Sequence, residues 1–246
     1  MTLLERLARL GEERAVLFTI LEGEQAGTKL LALEGGETSG DGPPALARHA
    51  RELLRGGRSR ELELDGLRVF AEVYGPPPRL LVYGAVDSAE ALCAAAKLLG
   101  WTTIVADARA KFATRERMPS ADELIVAWPE EAFAQVGPDH ATAIVILTHD
   151  DKFDVPALQA ALASDAFYVG AIGSRRTQAR RRERLLEVGV EEEALLRIAG
   201  PTGLDIGADS NEETAVSILA EALAMRARRG GGPLRESKQR IHVEVQ

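Results

Sequence analysis

The chain has 246 residues and a formal net charge of −8, room for one large domain or two modest ones around a real apolar core. An acidic surface repels nucleic acid and anionic membrane, so any anion site must be a local basic feature, and an aromatic content of 4% argues against a base-stacking nucleic-acid platform. The single cysteine, Cys93, excludes an internal disulfide and a cysteine-built zinc site, and its setting A-E-A-L-C-A-A-A-K-L-L reads as a buried helix position. Along the chain, Leu3 to Leu10 has helical spacing, 15–21 and 29–33 read as strands, 45–54 as a helix, and 62–64 and 67–73 as short strands. That mixture lacks a regular βαβ rhythm and predicts a small α+β domain over 1–75. Tyr74-Gly-Pro-Pro-Pro-Arg79 closes it, because successive prolines continue neither a ladder nor a helix.

From residue 79 the alternation is regular. Apolar strands at 80–83, 102–106, 123–126, 143–147 and 167–169 are separated by helical stretches at 88–99, 130–136 and 157–162. Near-continuous apolar strands between helices predict an α/β domain over 79–229 with a parallel sheet covered on both faces. Ser210-Asn-Glu-Glu213 has the form of a capping box and opens a helix through Ala227. Residues 230–246 are expected to form a mobile tail. No aliphatic run is long enough to span a bilayer and no basic-then-apolar leader opens the chain, so the expectation is a soluble, cytoplasmic protein. The alanine-rich 88–99 helix is a candidate surface for a homodimer.

Ligands of open parallel sheets sit beyond the carboxyl ends of the strands, which makes the residues after each strand the candidates. After the first strand comes Gly84-Ala85-Val86-Asp87. A phosphate-cradling turn places a second glycine where Val86 stands, and Asp87 and Ser88 read as helix caps. Asp107-Ala-Arg109 follows the second strand, with an acid where a ribose diol would be held and with Arg109 and Lys111 open to a phosphate or to solvent. The central strand leads into Thr148-His149-Asp150-Asp151-Lys152-Phe153-Asp154, the densest polar cluster in the chain. A metal site is considered there and not assigned. The reading taken is a polar loop with His149 and Asp150 facing the crevice and Asp154 capping a helix that starts at Val155-Pro156.

Phe167 to Thr177 reads as a strand, a turn punctuated by Gly170 and Gly173, and a helix start with Ser174 as cap. Arg175 and Arg176 then occupy the positive end of the helix dipole, where acids are the usual choice. Farther along, Arg180 and Glu183, and Arg184 and Glu187, are placed to pair at i,i+3, whereas Arg175 and Arg176 have no acid at that spacing. An anion site is the favoured reading and a salt bridge to another segment the alternative. Gly200-Pro-Thr-Gly-Leu-Asp-Ile-Gly207 adds a tight loop near the same edge. No nucleophile elbow, Walker loop or metal-spaced histidine pair is present, and no catalytic residue is assigned.

Several of these segments together resemble the xanthine dehydrogenase accessory family, XdhC/CoxI. T-H-D-D-K-F-D-V-P-A-L (148–158), Y-V-G-A-I-G-S-R-R-T (168–177) and G-P-T-G-L-D-I-G-A (200–208) carry the likeness, with D-A-R-A-K-F-A (107–113) and R-M-P-S-A-D (117–122) in the same order. The resemblance implies a Rossmann-like, nucleotide-binding-type C-terminal domain and a chaperone that binds molybdenum cofactor, supports its sulfuration and delivers it to a molybdenum hydroxylase apo-subunit, with a cysteine desulfurase as a further partner. It implies a cofactor carrier more than a catalyst. An NAD(P)-dependent oxidoreductase using the same crevice is the alternative. Resemblance and residues together give a cofactor-binding set of Gly84, Ala85, Asp107, Arg109, Thr148, His149, Asp150, Gly170, Gly173, Ser174, Arg175 and Arg176. Two departures stand out. The family's first turn reads G-A-G-H where this chain has Gly84-Ala-Val-Asp87, and the family's N-terminal G-S-x-P-R and S-G-G-C segments are matched by Gly23-Glu-Gln-Ala-Gly27 and Ser39-Gly-Asp-Gly42, with no cysteine.

Overall fold

The computed structural model describes residues 2–238; the rest of the expected tail, 239–246, lies outside them. The chain divides into two compact units, one holding residues up to Pro76 and the segment from Gly232, the other running from Pro77 to Gly231.

The first unit begins with α1 (Leu3–Ala8), whose Thr2 and Glu5 form a reciprocal capping box. Strands β1 (Ala15–Ile20), β2 (Lys29–Leu33) and β3 (Thr38–Gly40) follow. A 3-10 turn over Pro44–His49 then runs into α2 (Ala50–Gly56), and β4 (Arg60–Leu64) and β5 (Leu67–Tyr74) complete an antiparallel sheet of order β3-β2-β1-β5-β4. The predicted 45–54 helix is thus split, with Pro44 at the head of a 3-10 turn and Gly57 closing α2 in the left-handed region. Strand alternation sorts β1 between two small cores: Val16, Phe18 and Ile20 face α2, while Ala15 and Leu17 join Leu3 and Leu7 of α1. Gly23 to Gly27 forms the β1–β2 turn, and Ser39 lies on the short strand β3.

The second unit contains β6 (Arg79–Tyr83), α3 (Asp87–Leu98), β7 (Thr102–Ala106), β8 (Glu123–Ile125), α4 (Pro129–Val136), β9 (Thr142–Ile146), α5 (Asp151–Ala163), β10 (Tyr168–Ala171), α6 (Arg175–Glu187), α7 (Glu192–Leu195), β11 (Ile198–Ala199) and α8 (Asn211–Arg226). Its parallel sheet has the order β11-β10-β9-β6-β7-β8, which reverses direction between β6 and β9. That is the doubly wound, Rossmann-like order, with the switch point where the sequence placed the candidate loops. Side chains alternate between two cores. Leu80, Val82, Val105 and Val145 face α3 and α8, whereas Leu81, Tyr83, Ile144 and Ile146 face α4 and α5. On α3 the small-residue face is spent inside this unit, where Ala89, Leu92, Cys93 and Ala96 pack with Ala215, Ile218, Leu219 and Ala222 of α8. Burial, followed by the charges of Glu90 and Asp122, pushes the Cys93 thiol up to about 12. Beyond Gly230, Leu234–Glu236 forms a 3-10 turn within the expected tail. Among the described residues no helix is long and apolar enough to cross a membrane.

Candidate functional site

At the switch point the turn after β6 comes very close to the loop after β9. Gly84 has φ +114°, and a Cβ there would sit 2.9 Å from Thr148 Cγ2 and 3.1 Å from backbone of Leu147 and Thr148. A side chain at this position would push the two loops apart. The next residue, Ala85, is buried and its N–H donates to Asp107 Oδ2 at 2.9 Å. Val86 takes the N-cap position of α3 without any side-chain cap. This corrects the expectation for its neighbours: Asp87 pairs with Arg117 at 2.9 Å, and the Ser88 hydroxyl donates to Asn211 at 2.5 Å.

Asp107 is 1% exposed and fully occupied. Its Oδ1 accepts from the N–H and Nε–H of Arg109, both at 2.9 Å, and its Oδ2 accepts from Arg109 Nη2 at 2.8 Å as well as from Ala85. Burial alone would raise its pKa, but the hydrogen bonds from Arg109 and Ala85 outweigh it and hold the carboxyl below its ordinary value. A carboxylate offers about four lone-pair sites, and all are taken, so a ribose diol finds no acceptor here. The acid that suggested NAD(P) instead anchors Arg109. That guanidinium lies over the Phe112 ring at 4.3 Å and within 5.5 Å of Phe153.

The polar cluster after β9 separates into individual ion pairs. Asp150 caps α5 and pairs with Lys152 at 3.1 Å, Asp151 pairs with Arg180 at 3.3 Å, and Asp154 pairs with Arg181 at 2.5 Å. Asp154 is not the cap. α5 starts at Asp151, and Asp154 turns inward to accept from the Thr148 hydroxyl and from Arg181. Asp154 and Arg181 side chains are 2% and 3% exposed. Arg181 also donates to Ile172 O at 3.1 Å and to Gln178 Oε1 at 2.8 Å, so one buried pair ties the β9–α5 loop to the β10–α6 corner. His149 and Asp150 are exposed at the rim, and Thr148 is buried beneath them. Among the described residues no group of three or more His, Cys, Asp or Glu side chains is placed to hold a metal ion.

At the β10–α6 corner, Gly170 lies under the Tyr168 hydroxyl and Thr202, where a Cβ would sit 2.5 Å from Thr202 Oγ1. The Tyr168 hydroxyl bonds Thr202 and donates to Glu221, both at 2.5 Å, and Glu221 also accepts from Gly203 N–H at 2.8 Å. Burial first, then the Glu221 hydrogen bond, raises the phenol's pKa, so it stays protonated and fixes the 200–203 loop. Gly173 turns the chain at φ +130° and Ser174 caps α6 by accepting from Thr177 N–H. Arg175 and Arg176 are exposed, and the N–H groups of this first turn have no intrahelical acceptor. Neither arginine is paired with a carboxylate among the described residues, while Arg184 does pair with Glu187 at 2.9 Å and Arg180 turns to Asp151 instead of Glu183. A cavity of about 330 Å³ beside α6 is lined by Gln178, Arg181, Leu185 and Leu195 but by neither Arg175 nor Arg176.

Residues not singled out in the sequence join this edge. Trp128 and Arg181 carry no assigned role in the sequence reading, and Phe112, Arg117 and Phe153 stand there only inside longer motifs, yet all five lie at or beside the strand ends.

A doubly wound parallel sheet with a tight first turn, a saturated acid just after its second strand and a cationic helix start after its fifth defines a Rossmann-type domain. The family model for the XdhC Rossmann domain matches residues 80–222, and the chain belongs to the XdhC family. It is 32% identical over 160 residues to a probable xanthine dehydrogenase subunit from Bacillus subtilis (strain 168), covering 65% of this chain and 46% of that protein. It is 31% identical over 160 residues to the molybdenum cofactor insertion chaperone PaoD of Escherichia coli (strain K12), covering 65% and 44%. The chain thus spans less than half the length of these curated relatives. A crystal structure of a xanthine dehydrogenase from Bacillus halodurans shares the fold, with a TM-score of 0.65 and 24% identity over 90% of this chain and 64% of that one.

Proposed function

We propose that this chain is an accessory protein that carries molybdenum cofactor as cargo at the carboxyl edge of its parallel sheet and passes it to a molybdenum hydroxylase apo-subunit. The observation that carries the reading is the α6 start, where Arg175 and Arg176 stand without carboxylate partners among the described residues, beside first-turn N–H groups that have no intrahelical acceptor, in a chain of net charge −8. Every pterin form of the cofactor carries at least one phosphate, and cations plus helix N–H groups suit it. Membership of the family, and the insertion role in the name of the Escherichia coli relative, support the same cargo. Sulfuration by a cysteine desulfurase fits a cargo held at an open edge. The cysteine-bearing N-terminal segment of the family is replaced here by Ser39-Gly-Asp-Gly42, so the proposed hold is made by the C-terminal unit.

Mass spectrometry of the small molecule that co-purifies anaerobically from a cofactor-producing host tests the cargo, and a pterin phosphate is the expected result. Arg175→Ala combined with Arg176→Ala should weaken binding by about 1.5–3 kcal/mol per lost charged hydrogen bond. Unchanged affinity in the double variant moves the anchor elsewhere, and a protein free of pterin removes the proposal.

A further inference from the structure

Trp128 follows β8 at the same edge of the sheet as the loops described above, yet the residue is 50% exposed. Its backbone is fixed on both sides, by Pro129 in the first turn of α4 and by Ala127 O, which accepts from the Tyr83 hydroxyl at 3.2 Å. The ring is fixed too, with its centroid 5.1 Å from Phe153 at a tilt of 47°. Phe153 is itself flanked by two cations, the Lys152 ammonium at 4.8 Å and the Arg109 guanidinium at 5.5 Å. Arg109 cannot swing away, because Asp107 grips it through both oxygens. Both cations are themselves paired, Arg109 with Asp107 and Lys152 with Asp150, so the result is an indole held in place beside two ordered ion pairs and left open to solvent. An isolated exposed tryptophan needs no explanation. One that is backed by an aromatic ring and neighboured by a locked guanidinium has the attributes of a stacking surface for a planar ring.

We infer that Trp128 is a stacking platform for the planar nitrogen heterocycle of the bound cargo, an inference that rests on the cargo reading above. β8 and β10 lie four strand spacings apart in the sheet, roughly 19 Å between strand axes. A ligand with phosphate at Arg175 and Arg176 and a ring on Trp128 therefore lies along the edge, with the long side chains at either end closing part of that span. Two rings have the required chemistry, the pterin itself and a base attached to it in the nucleotide form.

The test uses the full chain and two probes, neopterin monophosphate for the pterin source and GMP for the base source. The chain contains two tryptophans and the other, Trp101, is 4% exposed within the core, so fluorescence quenching reports on Trp128. At least one probe should quench saturably, and the probe that does so identifies the source. Trp128→Ala should abolish the quench and weaken binding of that probe, measured by equilibrium dialysis, by roughly 5- to 150-fold, the range for loss of one stacked base. Trp128→Phe keeps a flat ring and should bind close to wild type, which separates stacking from damage to the fold. If wild type binds a probe and Trp128→Ala binds it equally well, the platform is wrong while the cargo reading stands. If wild type binds neither probe, the cargo reading fails and the platform with it.

Discussion

The buried pair of Asp154 and Arg181 gives the sharpest test of how the crevice is held. Arg181→Met keeps the volume of the side-chain stem and removes the charge. It leaves the carboxylate of Asp154, 2% exposed, to be held by the Thr148 hydroxyl in place of a cation. Removing one member of a buried pair costs about 3–5 kcal/mol, because the other charge is left uncompensated. The bonds from Arg181 to Ile172 O and Gln178 Oε1 also go, which adds about 1 kcal/mol for each acceptor that water does not reach. Asp154→Leu together with Arg181→Met removes both charges and, by the same reasoning, should recover most of the loss. Both tryptophans, Trp101 and Trp128, lie in the 77–231 unit, so urea unfolding followed by tryptophan fluorescence reads that unit alone. With a urea slope of about 1–3 kcal/mol per molar, the single variant should lower the midpoint by at least about 1 M. A single variant that loses less than about 1 kcal/mol, or a double variant as unstable as the single one, would refute this account of the pair.

Two further outcomes follow from the same edge. Gly84→Ala places a methyl at φ +114° against Thr148 and Leu147, and should destabilise the 77–231 unit by about 1–3 kcal/mol in the same urea assay while weakening cargo binding. Asp107 has a folded-state pKa below its unfolded one, so its contribution is fully present above the unfolded value near 3.8 and is lost as pH falls through the lower, folded value. Thermal melts of wild type should therefore lose stability below about pH 4. Asp107→Asn should melt lower at pH 7 and show a shallower acid loss, and an equally steep one would assign the acid sensitivity to other groups.

Much of the second unit was legible because its signals are local. Continuous apolar runs gave the strands, Ser210 and Glu213 gave the start of α8, and Ser174 gave the start of α6. β11 was missed because two residues carry no periodicity and owe their strand character to β10 alone. The side chains divided along the same line. Counting at i,i+3 identified Arg184 with Glu187, but Arg180 and Arg181 chose Asp151 and Asp154 across a helix–helix contact that no local spacing encodes. Asp107 was recognised as an acid at a strand end, and its capture by Arg109 two residues on was not, because that fork depends on the loop's curvature. Trp128 carries no charge and belongs to no motif, so nothing local in the sequence marks it.

Cys93 sets a chemical limit on sulfur traffic. It is the sole thiol in these 246 residues, it packs under α8 with no exposure, and it stays protonated until about pH 12. A thiolate is the nucleophile in persulfide exchange, so this residue cannot accept a sulfur atom and hand it on. On the cargo proposal, sulfur destined for the cargo would therefore have to come from a group other than Cys93.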